Sequence, residues 1–419
     1  MNASTPNPEA MRMKRRRLRG LFSRPAAWLF QAMLDRIDAG LEYGTLEGHL
    51  PGGEVRLLGG RGAGPVAIVH LKRWRALLRL ATGGSIGWFR AWDMGEWTSP
   101  DPVPLFDLFM RNGKALGNVA RSQGFARLVE RLGHHRRRNH RRGSRRNIEF
   151  HYDLGNDFYR LWLDKNMHYS SALFIDPADR KEILEDAQVR KADAIIDRLN
   201  LSDGKSMLEI GCGWGGLAAR ALERTAVRYD GLTLSREQAA WARERLAAHG
   251  DSAQIHLTDY RDAQGQYDAI ASVEMVEAVG QQYWPAYLDA IARLLKPGGR
   301  AAIQYILIDD ALFERYARSV DFIQAYVFPG GMLMSNSRFR ALAQERGLHW
   351  ENEQRFGLHY AETLRRWRES FDAAIEDGLL PASFDARFVR LWRYYLMYCE
   401  GGFAGGGIDV AQVTLVKGS

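Results

Sequence analysis

The sequence contains few cysteines and no long apolar run. Its 419 residues include two cysteines, Cys212 and Cys399, which are too few for a disulfide framework or a cysteine-only metal site. We therefore expect a reducing, cytoplasmic compartment. No stretch reaches the roughly 18 uninterrupted apolar residues that a membrane-spanning helix needs. Arg24 and Gln31 interrupt the apolar segment 21–34, and no small-residue cleavage site follows, which argues against a cleaved signal peptide.

Acidic residues are absent from two strongly basic segments. Residues 11–24 hold seven basic side chains and residues 131–146 hold eight arginines; without these fifteen charges the net charge of +8 becomes −7. Such clusters bind polyanions, either the anionic face of a membrane or a nucleic acid. The alternative is a solvated linker without a partner. The apolar fraction of 46% is that of an ordinary globular protein, and the length indicates two or three domains.

The chain divides into two domains and a linker. The segment 25–38 predicts an amphipathic helix in which Trp28, Met33 and Leu34 share an apolar side. Glycine pairs and short apolar runs over 43–98 predict short strands mixed with helix. We predict a smaller α+β domain over residues 1–130, an arginine-rich linker over 131–146, and a second domain over 147–419.

Strands and helices alternate from about residue 190 onward, which predicts a parallel, doubly wound α/β sheet of the Rossmann-like type. Such sheets bind ligands at the carboxyl ends of their strands. The predicted strands contain, in order, SMLEIGCG, VRYDGLTL, QIHLTDY, YDAIASVEM and RAAIQYILI.

A glycine turn follows the first of these strands. Glu209 stands two positions before Gly211, and Gly213 and Gly215 follow. Glycines let the backbone pass close to a ligand and adopt dihedrals that side chains forbid. The spacing departs from the dinucleotide fingerprint, although the turn has the required strand-to-helix context. It resembles the first motif of class I S-adenosylmethionine (SAM) methyltransferases, in which the loop faces the methionine part and the ribose.

The residues after the second strand are further candidates for ligand contact. Asp230 lies 19 residues after Gly211 but falls inside the predicted strand, so we interpret it as structural. Thr233 and Gln238 fall just past the strand end. Gln238 also completes a Ser235-x-x-Gln238 capping box for the next helix, and the two roles are compatible.

Eight sequence blocks then occur in the order found in one enzyme family. The chain resembles the cyclopropane fatty acyl phospholipid synthases and the mycolic-acid cyclopropane synthases, from about residue 147 to the end and more weakly before it. The blocks are HYDLGNDFYRLWLD, MHYSSALF, LEIGCGWGG, GLTLSREQ, DYRD, SVEMVEAVG, FIQAYVFPGG and YYLMYCEGGF.

The resemblance implies a class I SAM-dependent C-methyltransferase that acts on unsaturated phospholipids at an anionic membrane surface. It implies a cytoplasmic enzyme, peripheral to the inner face of the membrane, whose N-terminal domain aids lipid contact and homodimer formation. C-terminal helices would cover the acyl chain. The implied SAM contacts are Tyr169, Ser170, Glu209, Gly211, Cys212, Gly213, Gly215, Thr233, Gln238, Tyr260 and Arg261.

The resemblance also implies a catalytic group. In the better-known members a bicarbonate ion beside the reacting carbon acts as the base. Glu277, Ile306 and Tyr360 match its cage, whereas Ser171 replaces a cysteine and Gln304 replaces a histidine, which alters or removes the anion site. Cys399 falls at a C-terminal cysteine regarded as active in the family, although a late, unpartnered cysteine is more typical of a buried small residue.

The chemistry follows from the weak nucleophilicity of an isolated alkene, which only a strong electrophile such as the sulfonium methyl of SAM will attack. The product is a carbocation, so the site must exclude water, and aromatic faces such as Tyr305, Tyr316 and Phe328 can stabilise the cation. Loss of a proton from the new methyl closes a cyclopropane ring. Glu277 is the candidate for handling that proton, and Glu274, three residues earlier, would raise the pKa of one of the two carboxyls.

Three alternatives remain open. A fatty acyl C-methyltransferase would give a methylene- or methyl-branched chain without closing a ring. A nucleic-acid methyltransferase would suit the arginine run electrostatically, but the fourth strand ends in Glu-Met-Val-Glu instead of an [ND]-P-P-[YF] motif, so we expect no nucleic-acid partner. A non-enzymatic membrane adaptor conflicts with the intact glycine turn.

Overall fold

The computed structural model describes residues 24–117 and 154–418. The arginine-rich segment 131–146 and nearly all of the first basic segment lie outside the described residues. Residues 24–117 fall within the first predicted domain and residues 154–418 within the second, while the predicted boundary between them lies outside the described residues.

The N-terminal domain is a four-stranded mixed sheet covered by helices. Strand β1 pairs antiparallel with β2 and parallel with β3, and the strand order is β2-β1-β3-β4. Short strands mixed with helix are what the glycine pairs and apolar runs predict. The elements are α1 (Arg24–Gly40), β1 (Thr45–His49), β2 (Val55–Gly59), β3 (Val66–Leu71), α2 (Arg75–Asp93), β4 (Trp97–Thr98), α3 (Val103–Arg111) and α4 (Gly113–Leu116).

Helix α1 packs two of the three residues predicted to share its apolar side, Met33 and Leu34, against the core, but not Trp28. Phe30, Leu34 and Ile37 are buried in the core, whereas the side chain of Trp28 is 72% exposed. At about 100° per residue, Trp28 lies on the opposite side of the helix from Phe30. The prediction that Trp28 shares the buried side is therefore wrong.

The second domain is a doubly wound α/β sheet, as predicted. The strand order is β11-β12-β9-β8-β5-β6-β7; β5 to β9 are parallel, and β12 runs antiparallel between β9 and β11. The strands are β5 (Ser206–Ile210), β6 (Arg228–Leu232), β7 (Ala253–His256), β8 (Tyr267–Val273), β9 (Leu295–Ile308), β10 (Met334–Ser335), β11 (Leu348–Arg355) and β12 (Ile408–Lys417).

Helices cover both faces of this sheet, so its central strands are largely buried. All residues of β5 are buried, as expected for a parallel strand covered on both sides. The helices are α5 (Asn156–Arg160), α6 (Leu184–Leu199), α7 (Gly216–Arg224), α8 (Arg236–Leu246), α9 (Trp284–Leu294), α10 (Asp310–Ala317), α11 (Phe322–Tyr326), α12 (Asn336–Gln344), α13 (Gly357–Glu376) and α14 (Ala386–Ala404). Short 3₁₀ turns occupy Ala247–Ser252, Val276–Ala278 and Gln281–Tyr283.

The two domains pack together through α3 and α14. A Cβ atom on Gly401 would lie 2.5 Å from Cβ of Phe106, and one on Gly405 would lie 2.7 Å from the carbonyl oxygen of Asp107. Only glycine permits such a close approach of two helices. Within the described ranges, no helix has the length and apolar character needed to traverse a bilayer.

Candidate active site

A cavity of about 480 Å³ lies at the carboxyl ends of the parallel strands. It extends from the glycine turn after β5 to the face of the N-terminal domain. Of the predicted site residues it contacts Tyr169, Ser170, Glu209, Gly211, Cys212, Gly213, Thr233, Gln238, Tyr260, Arg261, Glu277, Ile306, Tyr360 and Cys399. Gly215, Ser171 and Gln304 are not part of the cavity wall.

The glycine turn has the conformation that its sequence requires. Gly211 and Gly213 have φ values of +86° and +51°, in the left-handed region that side chains avoid. A Cβ on Gly213 would meet nothing within 4 Å, so the backbone there faces open space. Gly215 instead caps α7, and a Cβ on it would lie 3.2 Å from Cβ of Ala242. Its role in this structure is packing.

Polar groups surround the turn. The Glu209 carboxylate accepts a hydrogen bond from the Tyr229 hydroxyl at 2.5 Å, and burial raises its pKa to about 7. Ser235 caps α8 by accepting from the Gln238 backbone N–H at 3.3 Å, as predicted. The Gln238 side chain accepts from the Thr233 hydroxyl at 3.0 Å, so the predicted reciprocal bond of the capping box is replaced by one to Thr233.

The far side of the turn holds Tyr260 and Arg261. The buried Tyr260 hydroxyl has no hydrogen-bond partner among the described residues, and burial raises its pKa to about 12. The Arg261 guanidinium donates to both carboxylate oxygens of Asp259, at 2.8 and 2.5 Å. Open backbone at Gly213 and an unpartnered hydroxyl at Tyr260 fit a polar nucleoside such as that of SAM.

A cluster of hydrogen-bond donors, here called the cage, lies beside this cofactor region, and a carboxylate of the chain itself occupies it. The backbone N–H of Ser171 and the Gln304 amide donate to Oε1 of Glu274 at 2.9 and 2.7 Å. The Tyr360 hydroxyl donates to Oε2 at 2.6 Å. Ser171, Gln304 and Tyr360 are three of the residues that the resemblance assigns to a bicarbonate cage. In this structure their hydrogen bonds converge on the carboxylate of Glu274.

The backbone of Glu274 is itself unusual. Its φ is +49°, a left-handed conformation that costs a non-glycine residue roughly 1–3 kcal/mol. The residue follows the end of β8, and its N–H donates to the carbonyl of Gln304 at 2.8 Å. The strand end aims Glu274 into the cage, and only Val276–Ala278 form a 3₁₀ turn.

Glu277, the residue predicted to handle the proton, accepts fewer hydrogen bonds than Glu274 does. Its Oε1 accepts from the backbone N–H of Ile306, and its buried Oε2 has no hydrogen-bond partner in the described part of the chain. Burial, followed by the nearby charge of Glu274, raises the pKa of Glu277 to about 8. Burial also raises the pKa of Glu274, while the donors of the cage and Lys191 oppose that rise. With two close carboxyls, the one with three donors ionises first.

Lys191 is a site residue that the sequence patterns did not single out. It lies on α6, 2% exposed, and its Nζ donates to the Ser170 hydroxyl at 2.8 Å. Burial lowers its pKa to about 8, although Glu274, Asp164 and Glu209 favour the charged form. The available signal was a lysine on the apolar face of a helix, four residues from both Ala187 and Ile195, which are buried.

His168 is a second residue that the patterns missed. Its Nδ1 is 3.0 Å from Oδ2 of Asp164, and its buried Nε2 has no partner among the residues described. Burial and Lys191 lower its pKa, so the imidazole is neutral near pH 7. It lies against the N-terminus of α7, where a Cβ on Gly216 would come within 2.8 Å of Nε2.

The remaining candidates divide between the cavity and the core. Cys399 contacts the cavity, but burial raises the pKa of its thiol, which is the opposite of what a nucleophilic thiolate needs. Tyr316 and Phe328 also contact the cavity. Tyr305 does not: its hydroxyl donates to Asn336 at 2.5 Å, and its ring packs on Phe339, so it belongs to the core of the domain.

The fold and the site define a SAM-dependent methyltransferase of class I. Solved methyltransferases share the fold at low sequence identity, among them a coclaurine N-methyltransferase bound to SAH, the demethylated form of SAM (18% identity, TM-score 0.61, covering 78% of this chain and 98% of that one). A family model described as mycolic acid cyclopropane synthetase matches residues 139–413. This chain therefore belongs to the mycolic acid cyclopropane synthetase family.

Individual relatives include enzymes named for two kinds of product. The tuberculostearic acid methyltransferase of Mycobacterium tuberculosis is 40% identical over 81% of this chain and 80% of its own length. The cyclopropane-fatty-acyl-phospholipid synthase of Escherichia coli K12 is 38% identical over 64% of this chain and 67% of its own. A crystal structure of a mycolic acid cyclopropane synthase with SAH and CTAB has 31% identity and a TM-score of 0.61, covering 65% of this chain and 98% of that one.

Proposed function

We propose that this enzyme transfers the methyl group of SAM to a cis double bond of an unsaturated phospholipid acyl chain and that Glu274 removes the resulting proton. The product is a methylene-branched chain without a ring. The observation that carries this proposal is the carboxylate of Glu274 inside the anion cage, held by Ser171, Gln304 and Tyr360.

The residues around the glycine turn would hold SAM. Gly211 and Gly213 would let the backbone approach its methionine part, with Tyr169 and Ser170 opposite. Thr233 and Gln238 would contact the ribose and Tyr260 the adenine. When bound, SAM supplies an electrophilic methyl carbon. Beyond the turn the cavity wall is mostly apolar, with aromatic side chains such as Phe328 and Phe403, which would exclude water from a cationic acyl chain.

The bonds and electrons of the proposed reaction balance over three steps. The π pair of the acyl double bond forms a carbon–carbon bond to the transferred methyl as the sulfur–carbon bond breaks, leaving a cation on the neighbouring chain carbon. A hydride shift moves the cation to the carbon that bears the new methyl. Glu274 then takes a proton from that methyl, and the released C–H pair forms the exocyclic double bond. The acyl chain gains one CH2 overall.

Glu274 would take over the task of a free bicarbonate ion. A carboxylate and a bicarbonate present similar oxygens, and the cage donors already point at the Glu274 oxygens. Lys191 favours the ionised form of this carboxylate, as a base requires. We therefore infer that the enzyme works without bound bicarbonate, and that Glu277, with its raised pKa, stays protonated beside Ile306.

Ring closure is the second candidate, because the matching family model carries the name of a cyclopropane synthetase. In that reaction Glu274 would take the same proton before any hydride shift, and the C–H pair would close the ring. We favour the branched product for two reasons. The relative named as a methyltransferase matches 81% of this chain, against 64% for the named cyclopropane synthase, and the cage holds a carboxylate of the chain itself.

The two products have equal mass, so the test must resolve structure. The purified full-length chain would be incubated with SAM carrying a ¹³C methyl and with vesicles of unsaturated phospholipid. We expect the label in an exocyclic =CH2 carbon by NMR. A label in a cyclopropane CH2 would select the second candidate, and no label in lipid would overturn both.

We also propose that the enzyme meets this lipid at an anionic membrane surface, through the arginines of 131–146. Replacing those eight arginines by serine should weaken binding to anionic vesicles most strongly at low salt. Binding that is unaffected by salt would contradict this contact. RNA added in the same salt series would test the nucleic-acid alternative, and analytical ultracentrifugation would test the expected homodimer.

A further inference from the structure

The cavity is bounded on one side by the N-terminal domain. Apolar side chains of α2 and α3 and the helix α4 form this wall, among them Trp88, Leu105, Phe106, Phe109 and Met110. The adjoining wall belongs to the methyltransferase domain and includes Tyr394, Tyr398 and Phe403. A ligand that extends beyond the cage is therefore enclosed by both domains.

Specific contacts fix this wall in place. The Ser85 hydroxyl accepts from the backbone N–H of Phe322 at 3.0 Å, and Lys114 pairs with Asp309 at 2.8 Å. The Phe106 ring packs edge-on against Tyr394 at a centroid distance of 5.2 Å. A wall held by directed polar contacts and tight ring packing has a defined shape and resists deformation by its ligand.

Among the described residues of the N-terminal domain that line the cavity, Ser85 has the one polar side chain, and its hydroxyl accepts from the backbone N–H of Phe322. Lys114, which pairs with Asp309, is not part of the cavity wall. What remains toward the cavity is hydrocarbon and aromatic surface, which recognises an apolar chain by shape and length. Gly113 leaves room in this wall, because a Cβ there would meet only Leu312, at 3.9 Å.

We propose that the N-terminal domain is the acyl selector of this enzyme: its wall at α3 and α4 sets how far a chain extends past Glu274, and hence which double-bond position reaches the base. This inference rests on the proposed function and deepens it by assigning substrate choice to a second domain. Gly113 and Phe109 are the specificity-determining positions.

The experiment uses the full-length chain, SAM and vesicles containing equal amounts of palmitoleoyl, oleoyl and cis-vaccenoyl phospholipid. These chains differ separately in the lengths before and after the double bond. Gly113→Val narrows the cavity where a Cβ fits, and Phe109→Ala widens it. We expect Gly113→Val to depress product from one of the three chains by about tenfold relative to the others, since one or two methylenes in an apolar pocket discriminate by that order. Phe109→Ala should shift the ratio the opposite way.

Gly83→Val is the matched control, because Gly83 lies on α2 away from the cavity wall and a Cβ there meets nothing within 4 Å. It should leave the product ratio unchanged. Thermal melting would confirm that each variant is folded. Product ratios equal to wild type in both cavity variants, or an equal loss on all three chains, would overturn the selector. Absence of product from the wild-type enzyme on every chain would instead overturn the proposed function.

Discussion

Replacing Glu274 by glycine should remove the general base from the chain and make turnover depend on added bicarbonate. The substitution removes the carboxylate but leaves its donors, the Ser171 N–H, the Gln304 amide and the Tyr360 hydroxyl. Glycine also suits the backbone, since φ at this position is +49°. Loss of a positioned general base lowers turnover by about 10²–10⁴-fold.

Bicarbonate should restore part of that loss. Buried donors left unpaired cost about 1–3 kcal/mol each, so an anion that satisfies them has a reason to bind in the vacated cage. In bicarbonate-free buffer we expect turnover of Glu274→Gly to fall within the range above, and to rise at least about tenfold when bicarbonate is added. Glu274→Gln should lose turnover similarly without rescue, because its amide fills the same space.

The assay is transfer of labelled methyl from SAM to vesicle lipid, with Glu376→Gln, an exposed change on α13, as the matched control. SAM affinity, measured by calorimetry, should change little in all three variants, because the hydrogen bonds of the Glu274 carboxylate go to the cage residues and not to the proposed SAM site. Wild-type turnover in both Glu274 variants would refute the assignment of the base. Turnover lost in Glu274→Gly and unmoved by bicarbonate, in a folded protein, would refute the equivalence of carboxylate and anion.

Three further outcomes follow from the same contacts. Glu274→Ala should have a free energy of unfolding about 1 kcal/mol lower than that of Glu274→Gly, because alanine retains the strain of the left-handed backbone that glycine relieves. Equal stability of the two variants would contradict the presence of this strain. Glu277→Gln should gain stability relative to wild type as pH rises. Burial raises the pKa of Glu277 in the folded protein from 4.5 to about 8. Between these two pH values the unfolded chain releases the proton and the folded chain keeps it, so the wild-type protein loses stability as pH rises. The same difference in melting temperature between Glu277→Gln and wild type at pH 5 and at pH 8 would contradict this. Lys191→Met should move the acid limb of the pH–turnover profile upward, since Lys191 favours ionised Glu274, with the rate recovering at higher pH; a uniform loss at every pH would indicate a merely structural lysine.

The fold was accessible from the sequence because its signals are local. Five predicted strands alternate with helices, and each of them overlaps one of the parallel strands β5 to β9, whereas β10, β11 and β12 were not predicted. The glycine turn was recognisable because Gly211 and Gly213 need backbone conformations that other residues avoid. The orientation of Trp28 was missed because α1 carries apolar residues on several sides, and the sequence alone does not specify which side packs against the core.

The site was only partly accessible because its decisive contacts join residues far apart in sequence. The sequence analysis named all four residues of the cage, Ser171, Glu274, Gln304 and Tyr360. Their spacing in the sequence does not show that the other three donate hydrogen bonds to Glu274. The φ of Glu274 depends on how the end of β8 meets β9. Lys191 looked like an ordinary helical lysine, and only the packing of α6 on the sheet shows that its charge faces the cage.

The most direct test of the account is turnover of the wild-type enzyme in buffer stripped of carbon dioxide and bicarbonate. If Glu274 is the base, methyl transfer to lipid should proceed at the same rate with and without added bicarbonate. A rate that collapses on stripping and returns with bicarbonate would show that the base is a free anion, and the central assignment would be wrong.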